Sequence, residues 1–474
     1  MKTIYKYNLL IVLALLIYSC EDELEISSED DVDSAALFST ATTVQGGVFG
    51  LYSQAQAADA FNGTPQVLSE WWADNSTFKG SFPTFNEVAD YSIQADNTSI
   101  NAIYFQHSDV IEACNLIITD LPTADPRPRD LSPELEAQFI AEAKFLRALT
   151  KFNFSLYFGQ PYNVNNGESL SIPNILSVFR GDNLEDFDIP RSTLNEIYNQ
   201  VEEDLLSARP DLPDTYPNGE TTIRATSGAA TALLARLELY RENFKEAAEL
   251  ATEVIDSPVY QLATNYDFYN TTSSEHIFQI SNSAIDSQNS NEGFTGLTNP
   301  SPQGRGDAPF SQDLIDDYLS EPGDLRFTEL TQQGADAQNI ISVFSTKFPE
   351  FANNSDNAPV IRITEMYLIR AEANVRKGGT PIGADPLDDL NLLRNRASLD
   401  PLTSVDIDAV LTERRKELAF EGGHRRMDLL RNGKRLREGL PSEGLSAPGD
   451  NLVVLPIPQR ELDLTTNLTQ NPGY

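Results

Sequence analysis

Apolar residues recur every three or four positions along several long stretches of this chain, the spacing that lines one face of a helix. The longest stripe runs through Leu135, Phe139, Ala143, Leu146, Leu149, Phe152 and Leu156. Ser132-Pro133 precedes it, a capping residue followed by a first-position proline. The same pattern predicts a helix carrying Val44, Val48, Leu51 and Tyr52, and another carrying Ile103, Val110, Ile111 and Ile117. Arg191-Ser192-Thr193-Leu194 opens one more, running to Ala208. Between Ala225 and Asp256 two stripes meet at Asn243. Ala229, Ala232, Leu233, Ala235, Leu237 and Tyr240 line the first; Phe244, Ala247, Ala251 and Val254 line the second, and Ser257-Pro258 ends it. Small residues at the crossing, an aromatic after the turn and a closing proline resemble the tetratricopeptide pattern. Met366–Arg376 followed by Leu387–Ala397 predicts another pair. One pair cannot bury its own face, so stacked partners must exist. The fold class expected is all-α, tetratricopeptide-like helix pairs forming a right-handed superhelical scaffold.

Two stretches, about 61–98 and 261–357, leave this pattern and are rich in polar residues, Gly and Pro. Irregular regions of this length inside a domain are usually functional. The first holds both tryptophans, in Glu70-Trp71-Trp72-Ala73-Asp74-Asn75-Ser76-Thr77-Phe78-Lys79-Gly80. Neighbouring residues of a helix or strand point in different directions, so one core takes one of these rings easily and both with difficulty. The pair is therefore expected to face outward as an apolar platform, with Asp74, Asn75 and Phe78 beside it. That arrangement suits a sugar ring, which stacks through its C–H face while its hydroxyls need partners. One core indole beside a partly exposed one is the plainer alternative. The second stretch scatters Phe268, Tyr269, Phe278, Phe294, Phe310 and Tyr318 among Asn289, Asn291, Asn299, Gln303 and Arg305. It is expected to close over the tryptophans.

The 474 residues carry a formal net charge of −37, which excludes a polyanionic partner such as nucleic acid. Lys2 and Lys6 precede a continuous apolar run, Leu9–Ile17, too short to span a bilayer as a mature helix. It ends in Ile17-Tyr18-Ser19-Cys20, which resembles a bacterial lipobox, and acidic residues follow to Asp33. Residues 1–19 are read as a lipoprotein signal peptide, Cys20 as the lipidated residue, 20–34 as an acidic tether and 35–474 as the body. Its helical scaffold is placed at about 35–60, 99–158, 192–257 and 360–474. Cys114 would then be the remaining thiol, expected to be buried on a helix. His107 lies seven residues before it, about 10 Å along a helix axis, beyond hydrogen-bond reach. With three histidines and no His-Glu-x-x-His run, a catalytic zinc is not expected, and no EF-hand loop argues for calcium. No cofactor is implied.

Glu413-Arg414-Arg415-Lys416-Glu417-Leu418-Ala419-Phe420-Glu421-Gly422-Gly423 continues into Arg425-Arg426-Met427-Asp428-Leu429-Leu430-Arg431. Glu413 and Glu417 sit one turn apart with arginines beside them. Ion pairing lowers carboxylate pKa values, the wrong direction for a general acid, so a structural charge network is expected. The run resembles the signature of the SusD/RagB family, surface lipoproteins of Bacteroidetes. Ala143–Ala148 with Tyr157-Phe158-Gly159, Tyr367–Ala373, Leu390–Ala397, Leu455-Pro456-Ile457-Pro458 and the ending Asn467–Tyr474 agree with it. Arg426-Met427 departs from it, standing where an aromatic usually follows the arginine. The resemblance implies an outer-membrane, cell-surface, lipid-anchored protein that binds oligosaccharide or polysaccharide without chemistry. It also implies a SusC-like TonB-dependent transporter as partner. Ligand positions implied are Trp71, Trp72, Asp74 and Asn75, and in the insertion Phe294, Asn299 and Arg305. A neutral glucan, such as a laminarin-like β-glucan, is the expected ligand, since an acidic surface repels anionic glycans. A RagB-like peptide binder and a glycoside hydrolase are the competing readings. A purely structural repeat scaffold would leave the tryptophan pair unexplained.

Overall fold

The computed structural model describes residues 34–180, 188–269, 271–287 and 291–474. The signal peptide, Cys20, the tether up to residue 33 and Asn289 lie outside the described residues. The fold is mostly helical. The main helices are α1 (Ala41–Ala55), α2 (Thr64–Trp72), α3 (Pro83–Ala89), α4 (Thr98–Asp120), α5 (Pro133–Phe158), α6 (Leu194–Ala208), α7 (Ser227–Tyr240) and α8 (Phe244–Ile255). After the insertion come α9 (Ile363–Lys377), α10 (Pro386–Arg396), α11 (Ile407–Leu418) and α12 (His424–Arg431). Consecutive members pack side by side: α4 on α5, α5 on α6, α6 on α7, α7 on α8, α8 on α9, then α9 on α10 and α11. The stack returns on itself, because α12 packs against α2.

Local chemistry explains the boundaries. The Ser132 hydroxyl accepts from the Leu135 amide at 3.2 Å and starts α5, as the sequence predicts. Thr193 and Glu196 form a reciprocal capping box at the start of α6. Gly423, in the left-handed region at φ 67°, turns the chain between α11 and α12. Among the described residues six short strands form three two-stranded antiparallel sheets, so the body is mostly rather than wholly α. Two matter for the site: the pair His276–Ile280 with Ala358–Arg362, which frames the insertion, and the hairpin Thr331–Ala335 with Ile341–Ser345 inside it.

One expectation is corrected at this level. The tryptophans end a regular helix, α2, every residue of which is buried. The helix is enclosed by α12, by α3 and by the insertion, so rings diverging around its axis both meet protein. The sequence argument assumed one core on one side.

The expected charge network is present and buried. Glu413 pairs with Arg326 at 2.7 Å and Arg394 at 2.8 Å; Glu417 pairs with Arg326 at 3.3 Å and Arg396 at 2.8 Å. Glu275 joins Arg396 to Arg362, and Glu421 joins Arg362 to Lys347. The chain of ions thus stitches the insertion to α10 and α11. Burial would raise the Glu417 and Glu421 carboxyls, but the surrounding arginines and lysine hold both below the usual range. Removing one partner strands a buried charge, so Glu417→Gln is expected to cost about 3–5 kcal/mol in urea unfolding. A folded pKa below the unfolded one gives stabilisation that is complete above the ordinary value of 4.5 and lost as pH falls beneath it. The thermal midpoint should therefore drop steeply only on the acid side of that value, and Glu417→Gln should flatten the drop.

Candidate functional site

The stretch after α2 is tied to the insertion by an irregular ladder. Ser76 bridges Phe310, the Thr77 amide donates to the Pro309 carbonyl at 3.4 Å, and the Lys79 amide donates to Asp307 at 3.0 Å. Gly80 permits this approach, since a Cβ there would lie 2.5 Å from the Asp307 carboxylate. From the other side, the Arg305 amide donates to Gly296 and the Gly306 amide to Asn299.

This junction separates the expected site residues into two groups. Trp71 and Trp72 are both 0% exposed. The Trp72 indole N–H donates to the Leu452 carbonyl at 2.9 Å, and the Arg426 guanidinium lies 4.1 Å over its ring. Trp71 packs in an aromatic cluster, 4.9 Å from Phe78 and 5.3 Å from Phe85. Neither ring can serve as a sugar platform. Asn75 is buried too: its amide donates to Glu70 at 2.7 Å and its oxygen accepts from Arg415 at 2.8 Å. Phe294 stacks on Phe348 at 4.3 Å, and the Asn299 amide donates to the Thr295 and Phe348 carbonyls. Both are core residues. Asp74 reaches the surface only in part and is held by Arg425 at 2.6 Å. Burial would raise its carboxyl, but Arg425 and then Arg415 keep it below the usual range.

Phe78 and Arg305, far apart in sequence, both reach Phe85 in the same aromatic cluster, the Phe78 ring at 6.3 Å and the Arg305 guanidinium at 5.7 Å. Arg305 also lies over Phe82, which sequence reasoning missed. Phe82 is 42% exposed, stacks on Phe85 at 5.6 Å, and carries the Arg305 guanidinium 4.4 Å above its ring. Arg305 is itself oriented by Asp307 at 2.6 Å. A signal for Phe82 existed: it precedes Pro83, and a residue before proline is biased to extended backbone. Its φ of −72° and ψ of 116° put it just outside α3, with the ring turned to solvent. A part-exposed ring with an arginine held over it offers a hydroxylated ring both apolar contact and hydrogen-bond donors.

Cys114 and His107 are core groups of the helical body. Cys114 is buried, and burial pushes its thiol up to about 12. His107 Nδ1 faces the Ile103 carbonyl at 2.8 Å, and burial pulls the imidazole down to about 4. Among the described residues no group of three His, Cys, Asp or Glu is arranged to hold a metal ion, and no described helix is long and apolar enough to cross a membrane.

A mostly helical body with an irregular insertion docked on it is the architecture these residues define. Comparison with known proteins gives the family. Residues 343–474 match the SusD family, and residues 22–239 match a family described as starch-binding and associating with the outer membrane. A SusD-like protein of Formosa agariphila is 25% identical, the match covering 99% of this chain and all of that one. The starch-binding protein SusD of Bacteroides thetaiotaomicron is 35% identical over 24% of this chain and 21% of its own. Among solved structures, a SusD superfamily protein from Bacteroides vulgatus superposes with a TM-score of 0.81 at 26% identity, covering 92% of this chain and all of the other. A laminarin-binding SusD-like protein superposes at 0.76 with 25% identity and the same coverage. The chain belongs to the SusD-like family of carbohydrate-binding proteins.

Because the indoles are core residues, Trp71→Ala or Trp72→Ala is expected to lose about 3–5 kcal/mol of stability. Urea unfolding followed by circular dichroism measures that loss directly.

Proposed function

We propose that this protein is a non-catalytic surface lipoprotein, anchored through Cys20, that binds a neutral glycan on the Phe82–Arg305 surface. It hands the glycan to a SusC-like TonB-dependent transporter in the outer membrane. The observation that carries the reading is the exposed Phe82 ring backed by Phe85 and capped by Arg305. One aromatic contact is worth about 1–3 kcal/mol by analogy with base stacking. A few hydrogen bonds add about 1 kcal/mol each, and ordering takes part of that back. The balance corresponds to an affinity on the order of millimolar, weak enough for cargo to be released.

A net charge of −37 and the pairing of Arg305 with Asp307 favour an uncharged ligand over sulfated or uronic glycans. Membership of a carbohydrate-binding family and likeness to a laminarin-binding structure make a β-glucan the first candidate. Phe82→Ala is expected to weaken retardation by laminarin in affinity electrophoresis roughly ten-fold, the equivalent of about 1.4 kcal/mol, with thermal stability unchanged. Unaltered mobility in that variant would refute the site. Release of reducing ends would favour a hydrolase, and binding of peptides alone a RagB-like importer.

A further inference from the structure

A second cavity, of about 320 Å³, opens beside α1 and shares no lining residue with the Phe82 surface. Three distant segments build it: 49–56 on α1, 220–224, and 279–286 at the end of the strand His276–Ile280. Its size is at the lower end for small-molecule sites, fitting one or two sugar rings.

Its polar groups define what could enter. Phe49, 44% exposed, offers an aromatic face at the mouth, with the Ser53 hydroxyl one helical turn on. Arg224 is fully committed: Nε and Nη2 donate to Glu142 at 3.1 and 2.6 Å, and Nη1 donates to Glu220 at 3.1 Å. Its guanidinium lies 5.1 Å from the Phe49 ring and fixes that wall. Gln56 and Gln279, both more than nine-tenths buried, spend their amide nitrogens on the protein. Gln56 donates to the Ser281 carbonyl at 2.7 Å and to the Asp286 carbonyl at 3.2 Å; Gln279 donates to Thr222 at 3.2 Å. Among the described residues nothing donates to either amide oxygen, so water or a ligand must. The carboxylates of Glu220 and Asp286 add further acceptors.

The cavity therefore combines an aromatic face, several acceptors short of donors, and no uncommitted cation. Hydroxyl groups on an uncharged ring answer that set, while a carboxylate or sulfate would meet the acids Glu220 and Asp286 and an Arg224 already paired with carboxylates. We infer that this cavity is a second carbohydrate site, taking one or two residues of a neutral sugar. The ligand class rests on the carbohydrate reading proposed above, whereas the cavity itself does not.

The test uses the whole chain carrying Phe82→Ala, titrated with laminaribiose by calorimetry and saturation-transfer NMR. Binding should persist, fall at least ten-fold when Phe49→Ala is added, and fall likewise with Ser53→Trp, which plugs the mouth. Both substitutions are at exposed positions, and melting curves check that the fold is retained. Loss of all binding in the Phe82→Ala chain would overturn the second site, as would residual binding indifferent to Phe49→Ala and Ser53→Trp. Glucuronic acid binding as well as laminaribiose would overturn the neutral ligand class. Laminarin retardation of the Phe49→Ala chain, compared with that of the Phe49→Ala/Phe82→Ala chain, reports separately on the Phe82 surface.

Discussion

The structure depends on a buried web of guanidinium and carboxylate groups centred on α11. Glu413 and Glu417 stand one turn apart on that helix and Glu421 just beyond its end, and each is shared between two cations from other segments. Taking so many ions out of water is costly, and only mutual pairing offsets it. The web can therefore close only when the insertion and α10 have all docked. Two more hydrogen bonds carry it toward the site: the Phe420 amide donates to Glu70 at 3.2 Å, and Arg415 donates to Asn75 at 2.8 Å. The helix carrying the tryptophans is thereby locked to the charge network from one side and to the indole contacts from the other.

That lock decides what the surface presents. Trp71 and Trp72 fill the interior, and the chain leaving them can be held in irregular backbone without losing its position. Phe85, Phe78 and Phe82 then form a graded cluster, from buried through half-buried to exposed, with Arg305 brought across from the insertion. A binding surface set on loops but backed by a rigid core keeps its geometry between encounters, so little binding energy is lost to ordering. Gly63 serves the same docking: a Cβ there would sit 2.4 Å from the Phe294 amide, where the insertion crosses it.

The electrostatic picture separates inside from outside. Arginines are concentrated in the buried web, where each has its carboxylate, and the surface keeps the surplus of acids behind a net charge of −37. Screened by salt, such a surface stays soluble and discourages anionic ligands at short range. Both carbohydrate surfaces proposed above follow this pattern, offering aromatic faces and acceptors with their cations already paired.

Periodicity alone determined the helical body. The stripe on α5, the Ser132 cap, the break at Asn243 between α7 and α8, and the Glu413/Glu417 charge network were all legible, because helix spacing, capping and ion pairing are local properties. The burial of Trp71 and Trp72 was not legible. A residue's neighbours along the chain say nothing of α12 and the insertion closing around α2 from separate directions. The partnership of Phe82 with Arg305 was beyond sequence for the same reason, since it depends on backbone pairing between segments more than two hundred residues apart. Local preferences are written residue by residue, whereas enclosure on every side is a property of the assembled fold.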